Sequence, residues 1–193
     1  MSWLVAGLGN PGDRYARTRH NLGARVADVL AVAAGARFRK ARFVPVELAE
    51  ISVDAQHIWL AKSLRHMNES GPSYASIAKK HDVAPDHVIA VHDEIDIAFG
   101  AVRIKIGGGT AGHNGLKSLQ QALRTPEFVR VRLGVGRPPG RQEPADYVLE
   151  PFSKREEDDV ALLIQEGADA VLTLVIDGLA AAQDRHTRSG PTG

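Results

Sequence analysis

The sequence predicts an α/β fold, a single globular domain whose mixed sheet is flanked by helices. Strand-like and helix-like runs alternate along the chain, as in layered sheets covered by helices. No internal repeat and no long linker interrupts the 193 residues, a length that suits one domain with a good core. The apolar run Val88–Val91 reads as a buried strand that stops at the polar pair His92-Asp93.

In chain order, Trp3–Ala6 is a strand that runs into a Gly/Pro loop. Leu22, Val26, Val29 and Leu30 repeat like one face of a helix over Leu22–Ala34, which Gly35 stops. Val46–Val53 and His57–Ala61 flank Asp54-Ala55-Gln56 and read as a hairpin. Ser70–His81 is a short helix with Pro72 near its start. Val102–Ile106 is a strand, Leu116–Leu123 a helix, Phe128–Val135 a strand and Glu156–Val175 a long amphipathic helix. The division that follows is a domain over residues 1–186 and a frayed tail over Thr187–Gly193.

Composition narrows the function classes. Apolar residues make up 44% and charged residues 24%, as in ordinary globular proteins. The absence of cysteine excludes disulfides, thiolate zinc sites and a cysteine nucleophile, and it fits a cytoplasmic setting. MSWLVAGLG lacks a basic n-region and a long apolar h-region, so no signal peptide is expected. No run approaches ~18 apolar residues, so no membrane span is expected. Net charge is +1 but unevenly placed. From Arg103 to Arg141 eight basic residues face one acid, Glu127; from Glu143 to Asp169 nine acids face two bases. That asymmetry points to a phosphate-bearing partner on the basic side.

Gly7-Leu8-Gly9-Asn10-Pro11-Gly12 fits G-x-G-x-x-G after a strand, but the helix does not begin within the glycines and no acid lies between Ala31 and Phe38. A dinucleotide needs both, so the turn more simply presents Asn10. A second glycine loop, Gly107 to Gly115, leads into a helix, where its amides can hold an anion or oxyanion. The eight histidines show no compact metal-ligand spacing, and no G-x-S-x-G is present. A hydrolase built from this inventory needs a histidine that activates water and a carboxylate that orients it. His20, in Thr18-Arg19-His20-Asn21 at a helix entrance, and Asp93, at the carboxyl end of an apolar strand, are the candidate pair. Asn10, Asn68, Asp93 and Asn114 all follow predicted strands, whose carboxyl ends are where open α/β sheets bind ligands.

The stretches VAGLGNPGDRYARTRHNLG, HMNESG, VHDEIDIAFG, RIKIGGGTAGHNGLKSL and RVRLGVGRPPG together resemble bacterial-type peptidyl-tRNA hydrolase, in that family's order and spacing. The later VLEPF is similar too. The resemblance implies cleavage of the ester joining a peptide to the 3′ ribose of tRNA, in peptidyl-tRNAs released prematurely from ribosomes. It implies one globular α/β domain around a twisted mixed sheet, monomeric, with no cofactor and no metal. It assigns His20 as base and Asp93 as its partner, with Asn10 beside them. Asn68, Asn114, Met67 and His113 then line the substrate cleft, Tyr15 lies near the terminal nucleotide, Lys105 and Arg132 face tRNA phosphates, and His66, where the family usually has an aromatic, is expected to stack on a base or sugar. The chemistry is consistent: amides suit a peptide backbone of any sequence, and phosphate contacts suit many tRNAs. Three positions depart from the family pattern: Ser63 for a frequent proline, His66 for an aromatic and Ala111 for a frequent glycine. The alternative from another class is a non-catalytic RNA-binding protein on the same fold.

Overall fold

The computed structural model describes residues 1–187. Seven strands form one sheet: β1 (Ser2–Gly7), β2 (Arg39–Lys40), β3 (Val46–Val53), β4 (Gln56–Ser63), β5 (Val88–Glu94), β6 (Val102–Ile106) and β7 (Val129–Gly134), in the order β2-β3-β4-β1-β5-β7-β6. The inner strands β4, β1, β5 and β7 are parallel; the pairs β2–β3, β3–β4 and β6–β7 are antiparallel. The sheet is therefore mixed, as expected.

Apolar residues of the inner strands alternate between two cores. Val5, Ile89 and Val91 face the layer made by α1 (Leu22–Ala33) and α5 (Glu157–Asp177). Leu4, Ala6, Val88 and Ala90 face the layer made by α2 (Gly71–Lys80) and α3 (Asn114–Leu123). Burial on both faces is why these strands read as unbroken apolar runs. Each such Val, Leu or Ile contributes about 1.5–3 kcal/mol.

Several boundaries differ from the sequence reading. The β3–β4 hairpin turns on two residues rather than three: Asp54 and Ala55 have φ of 46° and 63°, and Val53 faces Gln56. Positive φ at both positions gives the turn a twist that matches its strands. Helix α3 starts at Asn114, not Leu116, because His113 caps it. Strand β5 runs to Glu94, so Asp93 lies within it, opposite Leu133, rather than after it. Additional among the described residues are β2, α4 (Pro144–Val148), α6 (Leu179–Thr187) and four three-residue 3-10 turns. The expected tail begins at Thr187, which ends α6; its remaining residues, 188–193, lie outside the described residues. No helix among the described residues is long and apolar enough to cross a membrane.

The link from β1 to α1 sets up the site. A Cβ at Gly23 would lie 1.9 Å from the Val91 carbonyl oxygen, so only glycine lets α1 press onto the end of β5. Ala24 N–H donates to the Leu8 carbonyl, and Leu8 N–H to that of Val91, both at 3.1 Å. The 3-10 turn Arg19–Asn21 is thereby held over the carboxyl ends of β1 and β5.

Candidate active site

His20 is buried in that turn, with Nδ1 at 2.9 and 3.0 Å from the two carboxylate oxygens of Asp93. A carboxylate accepts, so Nδ1 carries the proton and Nε2 is left as the basic nitrogen. His113 donates from Nε2 to the same Asp93 oxygen at 2.9 Å. The tautomer of His113 is set from its other side, where Nδ1 accepts from the backbone amides of Gly115 (3.1 Å) and Leu116 (3.3 Å). Of the amides expected to face an anion, that of Gly115 is thus taken up by the His113 side chain.

Burial alone pushes the Asp93 carboxyl up, but the imidazoles of His20 and His113 outweigh it and hold the group far below the usual carboxylate range. For His20, burial works to lower the pKa; Asp93 more than offsets it through charge and hydrogen bond, and the result is raised above 6.5. The neighbouring His92 goes the other way, well below its ordinary value, through burial and the nearby His113. His20, Asp93 and His113 bring ligand-type atoms within 4.8 Å of one another, a cluster that no sequence spacing announced. As arranged, both imidazoles aim an N–H at the carboxylate, and the three residues satisfy each other.

Asn10 is fixed by Asn21. The Asn21 side chain accepts from Asn10 N–H and donates to Asn10 C=O, both at 2.9 Å. The Asn10 Oδ1 accepts from Met67 N–H at 2.7 Å, which leaves its NH₂ as the side chain's donor in the cleft that Asn10 lines. Asn68, in the 3-10 turn after β4, and Asn114, the first residue of α3, present exposed amides to the same cleft. The cleft holds about 740 Å³ and is lined by Asn10, His20, His66, Met67, Asn68, Asp93, His113 and Asn114, with one wall from residues 143–149. Arg19 pins that wall: its guanidinium donates to the carbonyls of Tyr147, Glu150 and Pro151 and lies 4.0 Å from the Tyr147 ring centroid. Neither Asn21 nor Arg19 was singled out from sequence; both flank His20, but their partners are distant in the chain.

Three of the expected residues sit elsewhere. Tyr15 stands outside the lining, edge-on to His66 with ring centroids 6.2 Å apart. Lys105 and Arg132 line an adjoining cavity of about 350 Å³, which shares Glu94 and Ala111 with the cleft. Arg132 is paired with Glu94 at 2.9 Å. Lys105 forms no salt bridge among the described residues, and partial burial with the nearby Arg132 and Arg130 lowers its pKa. The basic segment is thus smaller as a surface than as a sequence. Arg130 is fully buried, donating to the carbonyls of Gly108 and Gly109, and Arg137 is paired with Asp96 at 2.8 Å.

The family model described as peptidyl-tRNA hydrolase matches residues 4–191. A peptidyl-tRNA hydrolase of Mycobacteroides abscessus is 53% identical over 182 residues, covering 94% of this chain and 93% of that one. The chain belongs to the peptidyl-tRNA hydrolase family. The peptidyl-tRNA hydrolase of Paenarthrobacter aurescens is 50% identical, over 96% of each chain. The crystal structure of the Acinetobacter baumannii peptidyl-tRNA hydrolase superposes with a TM-score of 0.88 at 31% identity, covering 95% of this chain and 93% of that one. The peptidyl-tRNA hydrolase fold is therefore shared beyond the sequence match.

Proposed function

We propose that the cleft hydrolyses the ester between a peptide and the 3′ ribose of tRNA, returning free tRNA from prematurely released peptidyl-tRNAs. Water at His20 Nε2 gives up a proton to that nitrogen as its oxygen attacks the ester carbonyl. The imidazolium, stabilised by Asp93, then returns the proton to the departing ribose oxygen. The NH₂ of Asn10 is aimed where negative charge grows on the carbonyl oxygen, a kind of donor worth about 10²–10³ in rate. Asn68 and Asn114 hold peptide groups, and Met67 and His113 shape the floor. Tyr15 and His66 meet the terminal nucleotide, while Lys105 and Arg132 meet phosphates without reading bases. The enzyme on this reading is a cytoplasmic monomer that needs no cofactor.

The observation that carries the reading is the grip of both Asp93 oxygens on His20 Nδ1, which leaves Nε2 as a base at the cleft. The test is a single-turnover assay with purified protein. Release of tRNA from N-blocked aminoacyl-tRNA, with free-amine aminoacyl-tRNA spared, is the expected result. Binding without release would make the protein a non-catalytic RNA binder.

A further inference from the structure

On the side of the cleft away from Lys105, a second groove of about 690 Å³ opens between α2, α3 and the loop before β3. We propose that this groove takes the substrate's peptide N-terminal to the esterified residue; the proposal rests on the reading of the cleft as the esterase site.

The three cavities adjoin in a row: the cation-lined cavity has Glu94 and Ala111 in common with the cleft, and the cleft has Asn68 in common with the groove. The sheet order places them on opposite sides of β1 and β5, with Lys105 and Arg132 on β6 and β7 and the groove toward β3 and β2. The substrate is equally linear, running from phosphates through ribose and ester to peptide. With the ester at His20 and the phosphates at Lys105 and Arg132, the peptide leaves past Asn68.

The lining suits that occupant. Ser76 and Gln121 are exposed on facing helices and their side chains make no hydrogen bond among the described residues, so both can pair with a peptide backbone of any sequence. The floor is closed, because α2 and α3 meet tightly at Gly71, where a Cβ would lie 2.1 Å from the Ser118 carbonyl oxygen. At the far end Phe43 is 90% exposed, and the Arg42 guanidinium lies 4.9 Å from its ring centroid. Arg65 on the lining and Arg42 beside it form no salt bridge among the described residues, against one lining acid, Glu69. The mouth is thus net positive and favours acidic over basic side chains in the passing peptide.

The test compares three substrates on one tRNA: an N-acetyl-aminoacyl ester, too short to reach the groove, and two longer peptidyl esters carrying either Asp or Lys away from the ester. Wild type is expected to cleave the Asp peptide with a kcat/KM about fivefold above the Lys peptide, the scale of an exposed ion pair. The double variant Arg42→Glu/Arg65→Glu should reverse that order. The double variant Ser76→Trp/Gln121→Trp, on exposed helix positions, should slow both long substrates by about tenfold as a steric block. Cleavage of the short ester should stay within about twofold in both variants, which also reports that they fold. No order between the long substrates, and none created by the variants, would overturn the groove. Equal losses on short and long esters in Arg42→Glu/Arg65→Glu would make it an RNA contact and overturn the peptide assignment. Failure of wild type on the short ester would overturn the esterase reading itself.

Discussion

At His20 the free ring nitrogen is defined by what holds the other one. Asp93 occupies Nδ1 through both oxygens, so Nε2 is the acceptor, and His20→Ala removes it. Loss of a positioned base should cost roughly 10²–10⁴ in rate while tRNA affinity stays within a few-fold. Turnover near wild type would end the assignment. Only neutral His20 accepts a proton, so the rate falls as pH drops through its pKa. Asp93 holds that pKa above the ordinary imidazole value, so the acid limb of the pH–rate curve should lie higher than a free imidazole would put it. Asp93→Asn leaves burial without the compensating charge, so the rate should drop and the limb should move to lower pH. A fully active variant with an unmoved limb would make Asp93 purely structural. A chelator should leave activity unchanged, since His20 and His113 both direct their protons to Asp93 instead of lone pairs to one ion. Loss of activity restored by one added metal would contradict this. His20, Asp93 and the three asparagines were legible in sequence because each stands at a strand end or helix entrance. The Asn21 side chain was not, because its bonds to Asn10 exist only once the β1–α1 link closes.

The site's walls are set by elements whose signals differ in strength. Helix α1 repeats its apolar residues over three turns and was read nearly to its bounds. Helix α4 has five residues and β2 has two, too few for any period to show, and α6 follows α5 across a single Gly178 at φ 90°. Yet α4 forms one side of the cleft, and what holds it there is a residue of another element. Arg19 donates to three carbonyls between residues 147 and 151 and lies against the rings of Tyr147 and Phe152. A lysine has neither the planar fork nor the same ring contact. Arg19→Lys should therefore cost about 2 kcal/mol. The melting temperature should fall by roughly 4–8 °C, at about 2–4 °C per kcal/mol for a chain of this size. KM should rise more than kcat falls, because the wall loosens while His20 and Asp93 keep each other. A thermal melt beside steady-state kinetics checks both, and an unchanged melt with unchanged KM would show that the wall stands without Arg19.

For the whole molecule, an α/β sheet was legible from alternating runs, but strand order was not, since β1 pairs with β4 and β5 across long stretches of chain. The same limit applied to charge. Sequence gave one basic segment; folding buries Arg130 beneath the glycine loop and sets Arg137 against Asp96. What remains beside the cleft is Lys105, unpaired among the described residues, and Arg132, already held by Glu94 at 2.9 Å. As the phosphate contacts proposed above, the two are therefore unequal. Each phosphate neutralised by the protein releases condensed counterions, so each lost contact should flatten the slope of log affinity against log salt by roughly 0.7–0.9. Lys105→Ala should show that change in full. Arg132→Ala should show less in the slope but more in affinity, because removing the guanidinium leaves Glu94 uncompensated near the incoming phosphates. The double variant should flatten the slope by no more than about 1.5. Cleavage of a blocked aminoacyl fragment lacking the tRNA body should stay near wild type in all three. The measurement is a salt titration of tRNA binding beside fragment cleavage. A slope that Lys105→Ala leaves unchanged would place the tRNA body elsewhere, and equal losses on the fragment would tie these cations to the cleft rather than to the tRNA.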